Sequence, residues 1–253
     1  MTPLLETKGV FKHYGAFRAL EDVSVAIADG EFVSVVGPNG AGKTTLVNLL
    51  TGLLVPTKGE VFFKGDNISG VGPVALAKRG MARSFQLVQI FPQLTVAETI
   101  ATAVVSQRQT QWRMFSAVSA DADLAKRVAS VAATFGLKER LHDLARMLSQ
   151  GEKKLLDVAS AFALVPEVIL LDEPTSGVST SEKHGLMKTL IAAAKATGVK
   201  AIILVEHDMD LVAAYSHRII ALTEGKVLAD LPPGPFFSDP VILETVVGKR
   251  RTA

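Results

Sequence analysis

The chain has 253 residues, 48% hydrophobic and 21% charged, and its 27 Lys and Arg against 25 Asp and Glu leave a formal charge of +2. On a scale of ~150 residues per domain this is one large globular domain with ample core, and the near-neutral balance argues against a nucleic-acid partner, although a pI of about 8.8 keeps a mild basic lean. The absence of cysteine excludes disulfides, thiolate catalysis and cysteine-held metal, and the 5 histidines include no pair at metal-ligand spacing.

In chain order, Val23 to Ile27 and Glu31 to Val36 read as strands, Lys43 to Leu50 as a helix, and Gly59 to Lys64 and Met81 to Phe85 as strands. From Thr95 to about Val165 the pattern turns helical, with Val96 to Val105, then Ala122 to Phe135 stopped by Gly136. Alternation then returns: strand Val168 to Leu171, helix Glu182 to Ala196, strand Ala201 to Val205, helix Met209 to Tyr215, strand Arg218 to Leu222. The whole implies one α/β domain whose core, residues 1–86 and 161–253, carries an inserted helical subdomain, residues 87–160. Mean hydropathy is +0.32, but the longest apolar runs, such as Ala161 to Val165 and Ala201 to Val205, fall far short of the ~18 residues of a membrane span. Met1 to Lys8 lacks the marks of a secretory signal, so the chain is expected to stay in the cytoplasm.

Gly37, Pro38, Asn39, Gly40, Ala41, Gly42, Lys43, Thr44 and Thr45 fit G-x-x-x-x-G-K-[ST] between an apolar strand and a helix. Glycines let successive N–H groups face one anion, and the following helix adds its positive end. Lys43 is then placed for β- and γ-phosphates, and the Thr44 hydroxyl for Mg2+. A chance match in a Gly-rich turn would arise in roughly 1% of chains this long, and the strand–loop–helix context lowers that further. Val168 to Leu171 ends in Asp172 and Glu173. Alone, acids at a strand end say little. Beside a phosphate loop, Asp172 suits the Mg2+ shell and Glu173 the attacking water.

Leu148, Ser149, Gln150, Gly151 and Glu152 precede an apolar helical pattern. Read locally this is a capping box. It also resembles the L-S-G-G-Q/E signature of ATP-binding-cassette (ABC) ATPases, and other landmarks of that family stand in order: Tyr14 where an aromatic stacks on adenine, Gln86 as the Q-loop glutamine, and His207 as the switch histidine. The resemblance spans about Leu4 to Val247 and implies a P-loop NTPase core with an N-terminal antiparallel β portion and an inserted helical subdomain. It implies ATP and Mg2+ as ligands, with Thr44, Gln86 and Asp172 on the metal, Glu173, His207, Gln86 and Lys43 in catalysis, and Ser149 and Gly151 closing the nucleotide site of a facing subunit.

Finer wording, from Met81 to Glu98, in the insert Ser106 to Ser119 and from Asp239 to Gly248, is similar to ATPase subunits of branched-chain amino acid importers. That resemblance implies transmembrane permease subunits, a second ATPase subunit in a homo- or heterodimer, an indirect link to a periplasmic or extracellular solute-binding protein, and a peripheral place on the cytoplasmic face of the inner membrane. Related importers of amides, urea and aromatic acids share the wording. Two alternatives stay open, a soluble ABC ATPase of iron–sulfur assembly and a lipopolysaccharide-export ATPase. The stretches Phe91 to Val96 and Glu206 to Asp208 favour a transporter over the first, and Arg83 to Gln86 differ from the second. Departures are Gln150 in place of the signature's first glycine, Ser179 where the D-loop aspartate is usual, and Leu155 and Ser160 where arginines are usual. They imply a heterodimer in which sites closed by this chain's signature are less active.

Overall fold

The computed structural model describes residues 2–84, 91–108 and 121–247. It divides into two compact units, Met1–Arg79 with Lys200–Ala253, and Gly80–Val199.

The first unit opens with an antiparallel hairpin of β1 (Leu5–Tyr14) and β2 (Phe17–Ile27), paired from Leu5 opposite Ile27 to Tyr14 opposite Phe17 with register shifts between Thr7 and His13. Thr7 stitches the pair: its hydroxyl donates to Val23 O and accepts from Val25 N, both at 3.0 Å. β3 (Phe32–Val36) is buried at every residue, as its β-branched run requires, and leads through the phosphate loop into α1 (Lys43–Leu50). β4 (Lys58–Phe63) lies antiparallel on the free side of β1, β5 (Asp66–Asn67) adds to β4, and α2 (Pro73–Lys78) follows. β1, β2, β4 and β5 form the antiparallel β portion that the resemblance implies.

The second unit holds β6 (Met81–Ser84), α3 (Val96–Arg108), α4 (Ala122–Thr134), α5 (Gln150–Ala163), β7 (Val168–Asp172) and α6 (Thr180–Thr197). β6 and β7 pair in parallel. α3, α4 and α5 pack on one another, and Phe135 meets Phe162 edge to face with centroids 5.2 Å apart. Asp121 caps α4 by accepting from Asp123 N and Leu124 N, as its type and position favour.

The chain then returns to the first unit with β8 (Ala201–Val205), α7 (Met209–Tyr215), β9 (Arg218–Thr223), β10 (Lys226–Leu231), α8 (Pro233–Ser238) and α9 (Pro240–Val247). β3 runs parallel between β8 and β9, and β10 closes the edge antiparallel to β9. A core of Val36, Val212, Ile219, Ala221, Phe236, Ile242 and Val246 joins this sheet to α7, α8 and α9. Arg218 ties β9 to β10 through Asp230 and to Glu31 at 3.0 Å, and the Asp230 contact chiefly holds its guanidinium above the usual pKa.

The strands and helices read from periodicity are all present, with ends moved by a few residues. β1, β5, β10, α2, α8 and α9 are additions that periodicity did not reveal. Gln86 and most of the Ser106 to Ser119 stretch lie outside the described residues. Among the described residues, no helix is long and apolar enough to cross a membrane.

Candidate active site

In the first unit, the loop between β3 and α1 is built where side chains do not fit. A Cβ at Gly37, whose φ is 146°, would sit 2.2 Å from the main-chain oxygen of Leu222. One at Gly42, at φ 102°, would meet Ala19 O and a methyl of Leu20 at 2.7 Å. Neither backbone contact can give way, so the turn itself demands glycine. Lys43, 7% exposed, folds back on this loop, its ammonium donating to Gly37 O at 2.7 Å and Pro38 O at 3.0 Å. The N-cap of α1 is Gly42, which supplies no side-chain acceptor, and the first turn carries no acid. The N-terminal N–H groups of the helix thus keep their affinity for an anion, and Thr44 stands exposed in the same turn.

Tyr14 ends β1 half exposed, and Lys12 Nζ lies 5.2 Å from its ring centroid. Directly across the hairpin, Phe17 is exposed as well. His207 is exposed just beyond β8. The buried Glu206 turns its carboxylate back on this loop, where it accepts from His207 N at 3.0 Å and Asp208 N at 3.4 Å. Asp208 in turn caps α7.

In the second unit, Asp172 ends β7 almost fully buried, and Arg83 of β6 reaches it with NH2 2.7 Å from Oδ2. Glu173 follows with φ 48°, a left-handed backbone that non-glycine residues adopt at a cost of ~1 kcal/mol or more. The buried Lys154 of α5 stands 3.5 Å from Glu173 O. Ser149 is the N-cap of α5, with its hydroxyl accepting from Glu152 N and the Glu152 carboxylate accepting from Ser149 N at 2.8 Å. That backbone bond, with Arg140 beside it, lowers the Glu152 pKa against burial, which raises it. Gly151 is unlike Gly37 and Gly42: a Cβ there would meet nothing within 4 Å. Ser179 caps no backbone group of α6 by side chain and pairs with the Glu182 carboxylate instead.

The structure therefore joins Gly37, Pro38 and Lys43 by direct contact and sets Asp172 and Glu173 in sequence at a strand end. Tyr14 and His207 belong to the first unit, Ser149 and Gly151 to the second, and Gln86 lies outside the described residues. Sequence reasoning missed Arg83, Lys154 and Glu206 as parts of these sites. The available signal was a lone cation or acid at the end of an apolar strand or on the buried face of a helix.

The ABC transporter family model matches residues 20–176. The high-affinity branched-chain amino acid transport ATP-binding protein LivG of Salmonella typhimurium is 33% identical, over 98% of this chain and 98% of its own. Among solved structures, the ADP conformation of an ATP-binding cassette of an ABC transporter superposes with a TM-score of 0.85 at 26% identity, covering 98% of this chain and 100% of that one. A dimeric post-hydrolysis cassette bound to ADP and Pi gives a TM-score of 0.75 at 26% identity, covering 90% of this chain and 98% of that one. The chain belongs to the ABC transporter family, as a subunit that binds and hydrolyses ATP.

Proposed function

We propose that this ATPase subunit drives import of branched-chain amino acids or a related small polar solute, working in a dimer docked on transmembrane permease subunits at the cytoplasmic face of the membrane, with a solute-binding protein engaged indirectly. The observation that carries the ATP reading is Lys43 folded into a loop with no room for a side chain at Gly37 or Gly42. The substrate reading rests on likeness to LivG along the whole chain.

The donors suit Mg2+, since the Thr44 hydroxyl and the Asp172 carboxylate are hard oxygen ligands, and Gln86 adds an amide oxygen. When bound, the metal neutralises charge on the β- and γ-phosphates. The chain's own groups do the rest. Lys43 exchanges its loop carbonyls for β- and γ-phosphate oxygens, and the loop amides hold the phosphates by backbone dipoles alone. Tyr14 stacks on the adenine face, which gives modest base selectivity. Glu173 takes the proton of the attacking water, while Gln86 and His207 orient water and γ-phosphate.

Closure by a second subunit finds open space at Gly151, where a Cβ would meet nothing of its own chain within 4 Å. The Ser149 hydroxyl accepts from Glu152 N in the cap and shares its proton with the Glu152 carboxylate, a bond it exchanges for a phosphate oxygen on closure. Binding energy for ATP thus shifts a population from open to closed dimers. Permease docking is supported by the exposed Phe91 and Met147, on segments joined by the Arg146 N to Pro92 O bond and by Arg146 to Gln93.

The test is Glu173→Gln. ATP affinity stays, turnover falls to background, and ATP-dependent dimer accumulates by light scattering; full ATPase activity would remove Glu173 as the base. For the substrate, proteoliposomes with the copurifying permease subunits should take up labelled leucine only with ATP inside. A different solute would redirect the assignment. If Gln150 and Ser179 weaken the sites they help form, a complex with a second ATPase subunit outpaces the homodimer, and equal rates refute that.

A further inference from the structure

We infer that Arg83 is a positioning residue for the metal, clamping one oxygen of Asp172 so that the other serves the Mg2+ shell. The inference rests on the assignment of Asp172 to Mg2+. β6 and β7 run parallel with Arg83 opposite Leu170 and Ser84 opposite Leu171, so Asp172 stands one residue past the last position of β7 paired among the described residues. Arg83 reaches forward along the sheet to meet it, and the two side chains are only 9% and 5% exposed.

Stability alone is a poor reason for such a pair. Desolvating two charges offsets most of their attraction, and apolar residues of similar size hold a strand end as well or better. The geometry points to use instead. A guanidinium can grip a carboxylate with two parallel bonds and occupy both oxygens. Here NH2 binds Oδ2 alone. Among the described residues Oδ1 of Asp172 accepts nothing, and it is not one of the fully enclosed unpaired atoms. The carboxylate is thereby held in one rotamer, with one oxygen committed to the protein and one left for water or metal. Ligating carboxylates are commonly held by such an outer partner, and its loss costs ~10 to 100-fold in metal affinity.

The experiment measures binding of a fluorescent ADP to the full chain with EDTA and across a Mg2+ titration, in wild type, Arg83→Met, Arg83→Lys and Asp172→Asn. Wild type tightens with Mg2+ and Asp172→Asn loses most of that gain. Arg83→Met weakens apparent Mg2+ affinity by ~10-fold or more while metal-free ADP affinity stays within about twofold, which also reports an intact fold. Arg83→Lys recovers most of the loss, since a one-pronged contact needs a single cationic donor. Unchanged Mg2+ affinity in Arg83→Met overturns the inference, as does tighter Mg2+ binding, which would make Arg83 a competitor of the metal. Equal loss of metal-free and metal-dependent affinity in both Arg83 variants overturns it too, because that is a folding role. If Asp172→Asn keeps the full metal gain, the assignment of Asp172 itself fails, and the inference with it.

Discussion

The phosphate loop and the acidic strand end hold their working groups by opposite means. The loop is shaped by main chain against main chain: Gly37 lies against Leu222 O and Gly42 against Ala19 O, with Lys43 bonded to carbonyls a few residues back. The acidic strand end is shaped by side chains, with Asp172 clamped by a guanidinium 89 residues away in sequence and Glu173 left in a strained backbone. A backbone cradle is rigid and fails abruptly when altered. A side-chain clamp can be weakened by degrees, and so is open to tuning.

The largest expected effect tests the abrupt half of that contrast. Gly37→Ala forces a Cβ to within 2.2 Å of a main-chain oxygen, so a loss of about 4 kcal/mol or more in urea unfolding is expected, together with ATP binding. A variant of near wild-type stability would show that the loop is not braced by Leu222. Next comes Lys43→Ala, which leaves the cradle intact but removes a charged donor worth about 3 kcal/mol to bound phosphate. Calorimetry should read a Kd for ATP ~100-fold weaker with little change in melting temperature. At the acidic end the sign reverses. Glu173→Gly relieves the left-handed strain and is expected to raise stability by about 1 kcal/mol while abolishing turnover. A destabilised Glu173→Gly chain would mean that the conformation is not strained.

The same contrast explains what was legible in the sequence. The phosphate loop could be read because its motif is contiguous and Lys43 bonds to Gly37 and Pro38 within it, and β3, β7 and β8 because strands buried at every residue need no alternation. β1 could not. Its pairing with β2 slips between Thr7 and Val10, Val10 and Lys12, and Lys12 and His13, and each slip breaks the two-residue period that a strand shows in sequence. α9 shows only Ile242 and Val246 buried, too little pattern to stand out in so short a helix. Arg83 and Glu206 were invisible for another reason: one reaches Asp172 across a strand pair, and the other is a buried acid that accepts from N–H groups of its own loop.

The start of α5 separates two explanations of that legibility, kind of group or distance along the chain. The Ser149 and Glu152 box is made of side chains, yet its partners are three residues apart, and it was readable in advance. It is also the smallest effect expected here. Ser149→Ala should cost about 1 kcal/mol of stability. Glu152→Gln should act only through charge, with a sign fixed by its pKa. The folded value lies below the ordinary carboxylate value because Ser149 N and Arg140 favour the ionised form. Its contribution is therefore complete above the unfolded value of ~4.3 and is lost as pH falls through the lower folded value. Urea midpoints of wild type and Glu152→Gln should differ by a constant amount from pH 7 to about pH 5.5 and converge below the unfolded value. A gap that persists in acid would mean that the carboxylate acts by packing rather than by accepting the Ser149 N–H. A gap that closes would make this box a side-chain device as local as the phosphate loop, and distance, not chemistry, the reason Arg83 was hidden.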